Sequence, residues 1–213
     1  MKILLIRHGD PDYEKDSLTE KGWHEAELLA QRMAELEIQS FYVSPLGRAK
    51  DTASCTLKKM GREAEELAWL REFHAPIPDF HTGEPRIPWD QLPADWTAEP
   101  KYYDNIRWAE TVPMLEGHVI DEANRVWNGL DEVLAKHGYV RNGNYYDAVS
   151  PNEDTLAFFC HFGVTCVMLS HLLGISPMIL WHGFCAAPTS VTSLITEERR
   201  KGVALFRMNA FGD

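Results

Sequence analysis

Residues Ile3 to Ile6 are four consecutive aliphatic side chains, and the run ends on Arg7-His8-Gly9. A strand with one wet face alternates apolar and polar residues. An unbroken apolar run of strand length therefore predicts a strand covered on both faces, as in the parallel sheet of an α/β domain. Ligands of such sheets collect beyond the carboxyl ends of the strands. Arg7 and His8 deliver a guanidinium and an imidazole to that place, and Gly9 lets the backbone turn sharply. The triplet alone is weak, because a strand end carrying solvated polar residues reads the same way.

Two further segments repeat the arrangement. Phe41-Tyr42-Val43 is a short apolar run followed by Ser44-Pro45-Leu46-Gly47-Arg48. Ser44 suits a helix N-cap and Pro45 the first helical position, which would put Arg48 in the opening turn of a helix beside exposed N–H groups that favour anions. Thr155 to Cys160 is a third apolar run, and it leads into His161, Phe162, Gly163 and an apolar helix from Val164 to Leu173. Three strand ends would then present two arginines and two histidines to one crevice.

With these blocks in view the chain resembles the histidine phosphatase superfamily, also called the phosphoglycerate mutase-like family. The resemblance rests on Arg7-His8-Gly9, Leu18-Thr19-Glu20-Lys21-Gly22 with Glu25-Ala26, Ser44-Pro45-Leu46 with Arg48-Ala49 and Thr52-Ala53, Leu70 with Glu72, and His161 with Gly163. It departs from the family pattern at Phe162, where a glycine is usual; the backbone N–H at that position is kept. The implied fold is a three-layer α/β/α sandwich around a mostly parallel sheet. Residues 1–213 are expected to form one such domain, with a cap insertion at 74–118.

Composition fits one globular domain, with 45% hydrophobic and 25% charged residues. A formal net charge of −11 argues against nucleic acid or an anionic membrane as the main partner. It does not argue against a small anionic substrate, because charges farther than about 8 Å are largely screened at physiological salt. The apolar strand begins at Ile3, which leaves no room for a signal peptide, and no apolar run reaches the roughly 20 residues of a spanning helix. The expected location is cytoplasmic. Cys55, Cys160, Cys166 and Cys185 lack paired metal-ligand spacing and are expected to be reduced and mostly buried. A homodimer is compatible with the sequence and not required by it.

Between Pro76 and Pro113 fall seven of the 12 prolines, with Trp89, Trp96, Trp108, Tyr102 and Tyr103. Such a stretch cannot be one long helix or a central strand. Its aromatics argue against disorder. The expected structure is a small cap over the sheet's carboxyl edge, shaping a substrate pocket; an aromatic patch packed for stability alone is the competing reading. Helices are expected over Ser17–Glu37, Leu46–Met60 and Val119–Lys136, and a short strand near Glu65–Leu70. Asn142-Gly143 signals a hairpin, and the last strands should be Ser190–Thr196 and Val203–Met208, joined by a charged turn from Glu197 to Gly202.

The resemblance implies a metal-independent phosphatase that hydrolyses small phosphomonoesters through a phosphohistidine, with no cofactor. Arg7 and Arg48 would clamp the nonbridging oxygens, His8 would attack phosphorus as neutral imidazole, and His161 would stabilise the transferring group together with the Phe162 N–H. Glu72 follows a strand and resembles the family segment carrying the acid/base, with Asp10 and Glu14 close enough in sequence to His8 to compete. Tyr13 and Glu14 are candidate substrate-binding residues. The other histidines show no metal spacing; of them, His81 and His182 are the ones that could line a pocket. Phosphoglycerate mutase chemistry is an alternative, although the Glu-Arg-x-Tyr-Gly pattern of mutases is missing near Glu72. A protein phosphatase or a noncatalytic phospho-binding protein is another, since fold does not fix activity.

Overall fold

The computed structural model describes all residues from Met1 to Asp213. Its centre is an eight-stranded sheet of β1 (Lys2–Arg7), β2 (Ser40–Val43), β3 (Glu65–Glu66), β4 (Tyr139–Asn142), β5 (Tyr145–Ala148), β6 (Thr155–Cys160), β7 (Val191–Arg200) and β8 (Val203–Ala210). The strands lie in the order β3-β2-β6-β1-β7-β8-β5-β4. The sheet is mixed. Neighbours from β3 through β1 are parallel, and those from β1 through β4 are antiparallel. The long helices are α1 (Glu20–Met33), α2 (Gly47–Met60), α3 (Val119–Lys136), α4 (Phe162–Leu173) and α5 (Pro177–Gly183).

Both faces of β1 are covered, as its unbroken apolar run predicts. Leu4 and Ile6 pack with Leu29 and Met33 of α1 and Ala53 of α2. Ile3 and Leu5, pointing to the other face, join Val126 and Leu130 of α3 and Val164 and Val167 of α4. The same alternation divides β6, with Ala157 and Phe159 on one side and Leu156 and Phe158 on the other. Each fully buried aliphatic or aromatic side chain of this kind contributes about 1.5–3 kcal/mol. No helix is long and apolar enough to cross a membrane.

Several boundaries differ from those expected. Ser17-Leu18 is not helical: it pairs with Pro11-Asp12 in a two-residue antiparallel ladder, and α1 starts after the N-cap Thr19, whose Oγ1 accepts the Gly22 N–H. Helix α1 ends at Met33, and Leu36 packs against the same core from beyond its end. Ser44 is not the N-cap of α2. That position belongs to Leu46, which is extended and has no side-chain oxygen to offer. The strand near residue 65 covers Glu65–Glu66 alone and gives way to a 3₁₀ turn at Ala68–Leu70. Strands β7 and β8 run on to Arg200 and Ala210, and Glu197 and Arg207 form a diagonal cross-strand ion pair at 2.6 Å within the extension.

The proline-rich segment folds as short pieces. Ile77-Pro78 pairs with Pro85-Arg86, and turns of helix cover Pro93–Trp96, Pro100–Tyr103 and Val112–Glu116. Tyr102, Trp108 and Met114 are fully buried in the larger core, so the segment is rooted in the main body. All four cysteines are free: Cys160 and Cys166 are buried, Cys55 is half-buried, and Cys185 is exposed.

Candidate active site

The order β2-β6-β1 sets three strand ends side by side. Arg7 is opposite Cys160 across the parallel ladder, and Phe159 is opposite Val43. The next residues, His8, His161 and Ser44, therefore emerge as neighbours. The His8 and His161 rings lie 5.1 Å apart, and both are buried. Ser44 Oγ sits 2.7 Å from His161 Nε2 and accepts the Leu46 N–H at 3.3 Å. The serine thus holds an imidazole where a helix cap was expected.

His8 Nδ1 is 2.7 Å from the Gly9 carbonyl, an oxygen that can only accept. Nδ1 must therefore carry the proton, and in the neutral ring Nε2 keeps its lone pair. Burial lowers the His8 pKa to about 4; the charges of Arg48 and Arg7 push the same way, and the Gly9 carbonyl and Asp16 oppose them. His161 is driven well below the ordinary histidine value by burial, Arg48, His8 and Arg7. Two neutral imidazoles stand at neutral pH between two guanidinium groups.

Arg7 donates through Nη1 to the Ala186 carbonyl. Arg48 donates through Nη1 to Asp16 Oδ1 at 2.6 Å, and Asp16 Oδ2 also accepts the Gly47 N–H at the start of α2. Nε of Arg7, Nε of Arg48 and Nδ1 of His161 are buried with no partner in the protein. Buried polar groups of native proteins are nearly always satisfied, so three orphaned nitrogens gathered here mark a place built for an acceptor-rich ligand.

Glu72 reaches the same region from the chain following the 3₁₀ turn. Its Oε1 accepts the N–H groups of Phe73 and Val164 at 2.8 and 2.9 Å, and its Oε2 accepts that of Gly163 at 3.2 Å. The carboxyl thus caps the first turn of α4, which begins at Phe162. Burial raises its pKa against those three donors and Arg48. Gly163 is required by close approach, since a Cβ there would meet Glu72 Oε1 at 2.7 Å and Trp89 Cη2 at 2.8 Å.

Asp10 is engaged elsewhere. Thr19 Oγ1 donates to it at 2.7 Å and Lys21 lies 3.6 Å away; the threonine bond foremost holds its carboxyl low and ionised, which unfits it as an acid. Glu14 is exposed and its carboxylate makes no hydrogen bond or ion pair, so no contact ties it to the histidines. Tyr13 is exposed, with the Arg48 guanidinium 5.5 Å from its ring centroid. The Phe162 ring stands 6.0 Å from Arg7 in the same manner. His81 is on the surface against Asp95, and His182 stacks on Trp96 at 4.8 Å with Nδ1 bonded to the Met178 carbonyl.

Sequence reasoning missed Asp16 and the Ser44–His161 bond, and gave Thr52 no task beyond its place in the family pattern. Thr52 Oγ1 accepts the Gly9 N–H at 2.9 Å and donates to the Arg48 carbonyl at 2.7 Å, joining the His8 turn to α2. Its place one turn beyond Arg48 was the available signal.

Among curated proteins, a probable phosphoglycerate mutase of Photorhabdus laumondii is 36% identical over 83 residues, covering 35% of this chain and 39% of that one. A 2,3-bisphosphoglycerate-dependent phosphoglycerate mutase of Thermoplasma acidophilum is 42% identical over 64 residues, 25% and 32% of the two chains. The chain spans about a third of the length of these relatives. Among solved structures, a mycobacterial glucosyl-3-phosphoglycerate phosphatase aligns with TM-score 0.68 at 19% identity over 99% of this chain and 98% of its own. A phosphoserine phosphatase of Entamoeba histolytica aligns at 0.61 and 20% identity over 99% and 97%. These structures share the fold. The family model of the histidine phosphatase superfamily, branch 1, matches residues 3–209, and the chain belongs to that superfamily.

Proposed function

We propose that the protein is a metal-independent phosphatase acting on small phosphomonoesters through a phosphohistidine at His8. The observation that carries the reading is the convergence of His8, His161, Arg7 and Arg48, with three buried nitrogens that have no partner in the protein.

A phosphate monoester is nearly dianionic at neutral pH, and its transfer depends mainly on positioning and charge stabilisation. Arg7 and Arg48 offer their Nε–H groups to nonbridging oxygens through charge-assisted bonds. In this reading Ser44 Oγ, which accepts the Leu46 N–H, gives its own proton to His161 Nε2 in a hydrogen bond; the His161 proton then sits on Nδ1, which has no partner in the protein, and is donated to the phosphoryl group. The Phe162 N–H at the start of α4 adds a further donor. The lone pair on His8 Nε2 attacks phosphorus, the P–O ester bond breaks, and the leaving oxygen takes the Glu72 proton. Water then attacks the phosphohistidine, giving its proton to the Glu72 carboxylate, while the P–N electron pair returns to Nε2. The arginines supply the positive charge that a metal supplies elsewhere, so a chelator is expected to leave the rate unchanged. The segment 74–118 acts as the cap in this reading, through Trp89.

The test is single-turnover labelling with a phosphomonoester. His8→Ala is expected to abolish both turnover and the acid-labile phosphoryl adduct; an adduct that persists in this variant defeats the proposal. Phosphoglycerate supplied with a bisphosphate primer reports the mutase alternative in the same assay.

A further inference from the structure

In the proposed reaction Glu72 protonates the leaving oxygen, so the groups against Glu72 are the first that the leaving alcohol meets. Trp89 is one of them: its Cη2 and the Glu72 Oε1 lie within 2.8 and 2.7 Å of the same point, the missing Cβ of Gly163. The ring packs against Phe73 at 6.2 Å and Trp181 at 5.7 Å between centroids, and Trp181 Nε1 donates to the Gly163 carbonyl at 3.1 Å. Trp89 stays half-exposed in spite of this support. Two more rings flank the phosphate clamp, Tyr13 on Arg48 and Phe162 on Arg7.

Charge near the leaving group points the same way. The cations acting most strongly on His8 and His161 are Arg48 and Arg7, both already committed to the phosphoryl oxygens. Arg48 is further shared with the Asp16 carboxylate. The nearby basic residues of adjoining segments are paired as well: Lys21 with Asp10 and Glu25, Arg71 with Glu122, and Arg86 with Asp79. A leaving group bearing its own carboxylate would meet the Asp16 carboxylate and a Glu72 carboxyl that must hold its proton, and would find none of these basic side chains unpaired to receive it, which costs affinity through unpaired charge.

We infer that the site takes monoesters whose leaving alcohol carries a flat apolar ring and no carboxylate. This rests on the phosphatase reading and adds the substrate class to it. Ring-on-ring contact with Trp89 supplies the selectivity, and the absent third cation supplies the discrimination against acids.

The experiment compares kcat/KM for 2-phenylethyl phosphate, glycerol 1-phosphate, 3-phosphoglycerate and O-phosphoserine, all esters of ordinary alcohols. The phenylethyl ester is expected to exceed both carboxylate-bearing esters by about tenfold or more. Trp89→Leu is expected to lower the ratio of phenylethyl to glycerol ester by about tenfold, while Trp89→Phe, which keeps a flat ring, holds it within about threefold. A preference for 3-phosphoglycerate or phosphoserine overturns the inference and leaves the phosphatase reading standing, as do equal ratios in the two Trp89 variants. Failure of every ester, with no labelled His8, overturns both.

Discussion

His8 and Glu72 face opposite electrostatic demands in neighbouring positions. Burial keeps the His8 imidazole neutral down to about pH 4, so the nucleophile is available across the physiological range. Burial also raises the Glu72 carboxyl, so the proton donor persists to higher pH than an exposed glutamate would allow. The expected profile of kcat/KM has an acid limb set by His8 and an alkaline limb set by Glu72. Glu72→Gln should lower kcat about 10²- to 10⁴-fold and remove the alkaline limb, read from pH–rate curves. Arg7, His8, Arg48 and His161 were legible in the sequence because each follows an apolar strand. Ser44 was assigned the wrong task, since a serine before proline carries the same signal whether its hydroxyl caps a helix or holds a histidine across the sheet.

At the scale of elements, the small hairpin of Pro11-Asp12 and Ser17-Leu18 brings Tyr13 and Asp16 onto Arg48. Asp16 has φ +49°, a left-handed conformation that asparagine tolerates as well as aspartate. Its carboxylate holds Nη1 of the guanidinium whose Nε is offered to phosphate, so its negative charge opposes that of bound phosphate. Asp16→Asn keeps the shape and removes the charge. It should tighten inhibition by inorganic phosphate or vanadate by about tenfold, the scale of one charge-assisted bond; weaker inhibition would mean that Asp16 serves to position Arg48. Two-residue strands leave no periodicity to read, which is why the second strand of this hairpin, Ser17-Leu18, falls inside the expected helix Ser17–Glu37. The Asn142-Gly143 hairpin was legible, because Gly143 supplies the positive φ of +58° that such a turn needs.

For the whole molecule, the proline-rich segment is bound to the same core as the sheet. Trp108 is fully buried there, beside Trp181 at 5.8 Å. Trp108→Ala should cost about 3–5 kcal/mol of stability, seen as a large drop in Tm with a single cooperative transition retained. The prolines and aromatics signalled an ordered insertion but gave no path for it, since irregular backbone is set by tertiary contacts that no local pattern encodes. Acid should weaken the fold as well. His8 stays neutral in the folded state down to about 4, whereas the unfolded chain takes its proton near 6.5, so stability falls as pH drops between those values. His161 acts in the same direction, and the raised carboxyl of Glu72 in the opposite one. Melting curves of His161→Gln should show a shallower acid decline than the native protein.

The three amide bonds accepted by Glu72 have an evolutionary corollary. A descendant that abandoned hydrolysis could replace His8 by another buried side chain of similar volume, since the ring makes a single hydrogen bond. Replacing Glu72 would leave the amides of Phe73, Gly163 and Val164 without their acceptor. Among homologues the glutamate should thus outlive turnover, and the nucleophile is the better guide to which members still work as enzymes.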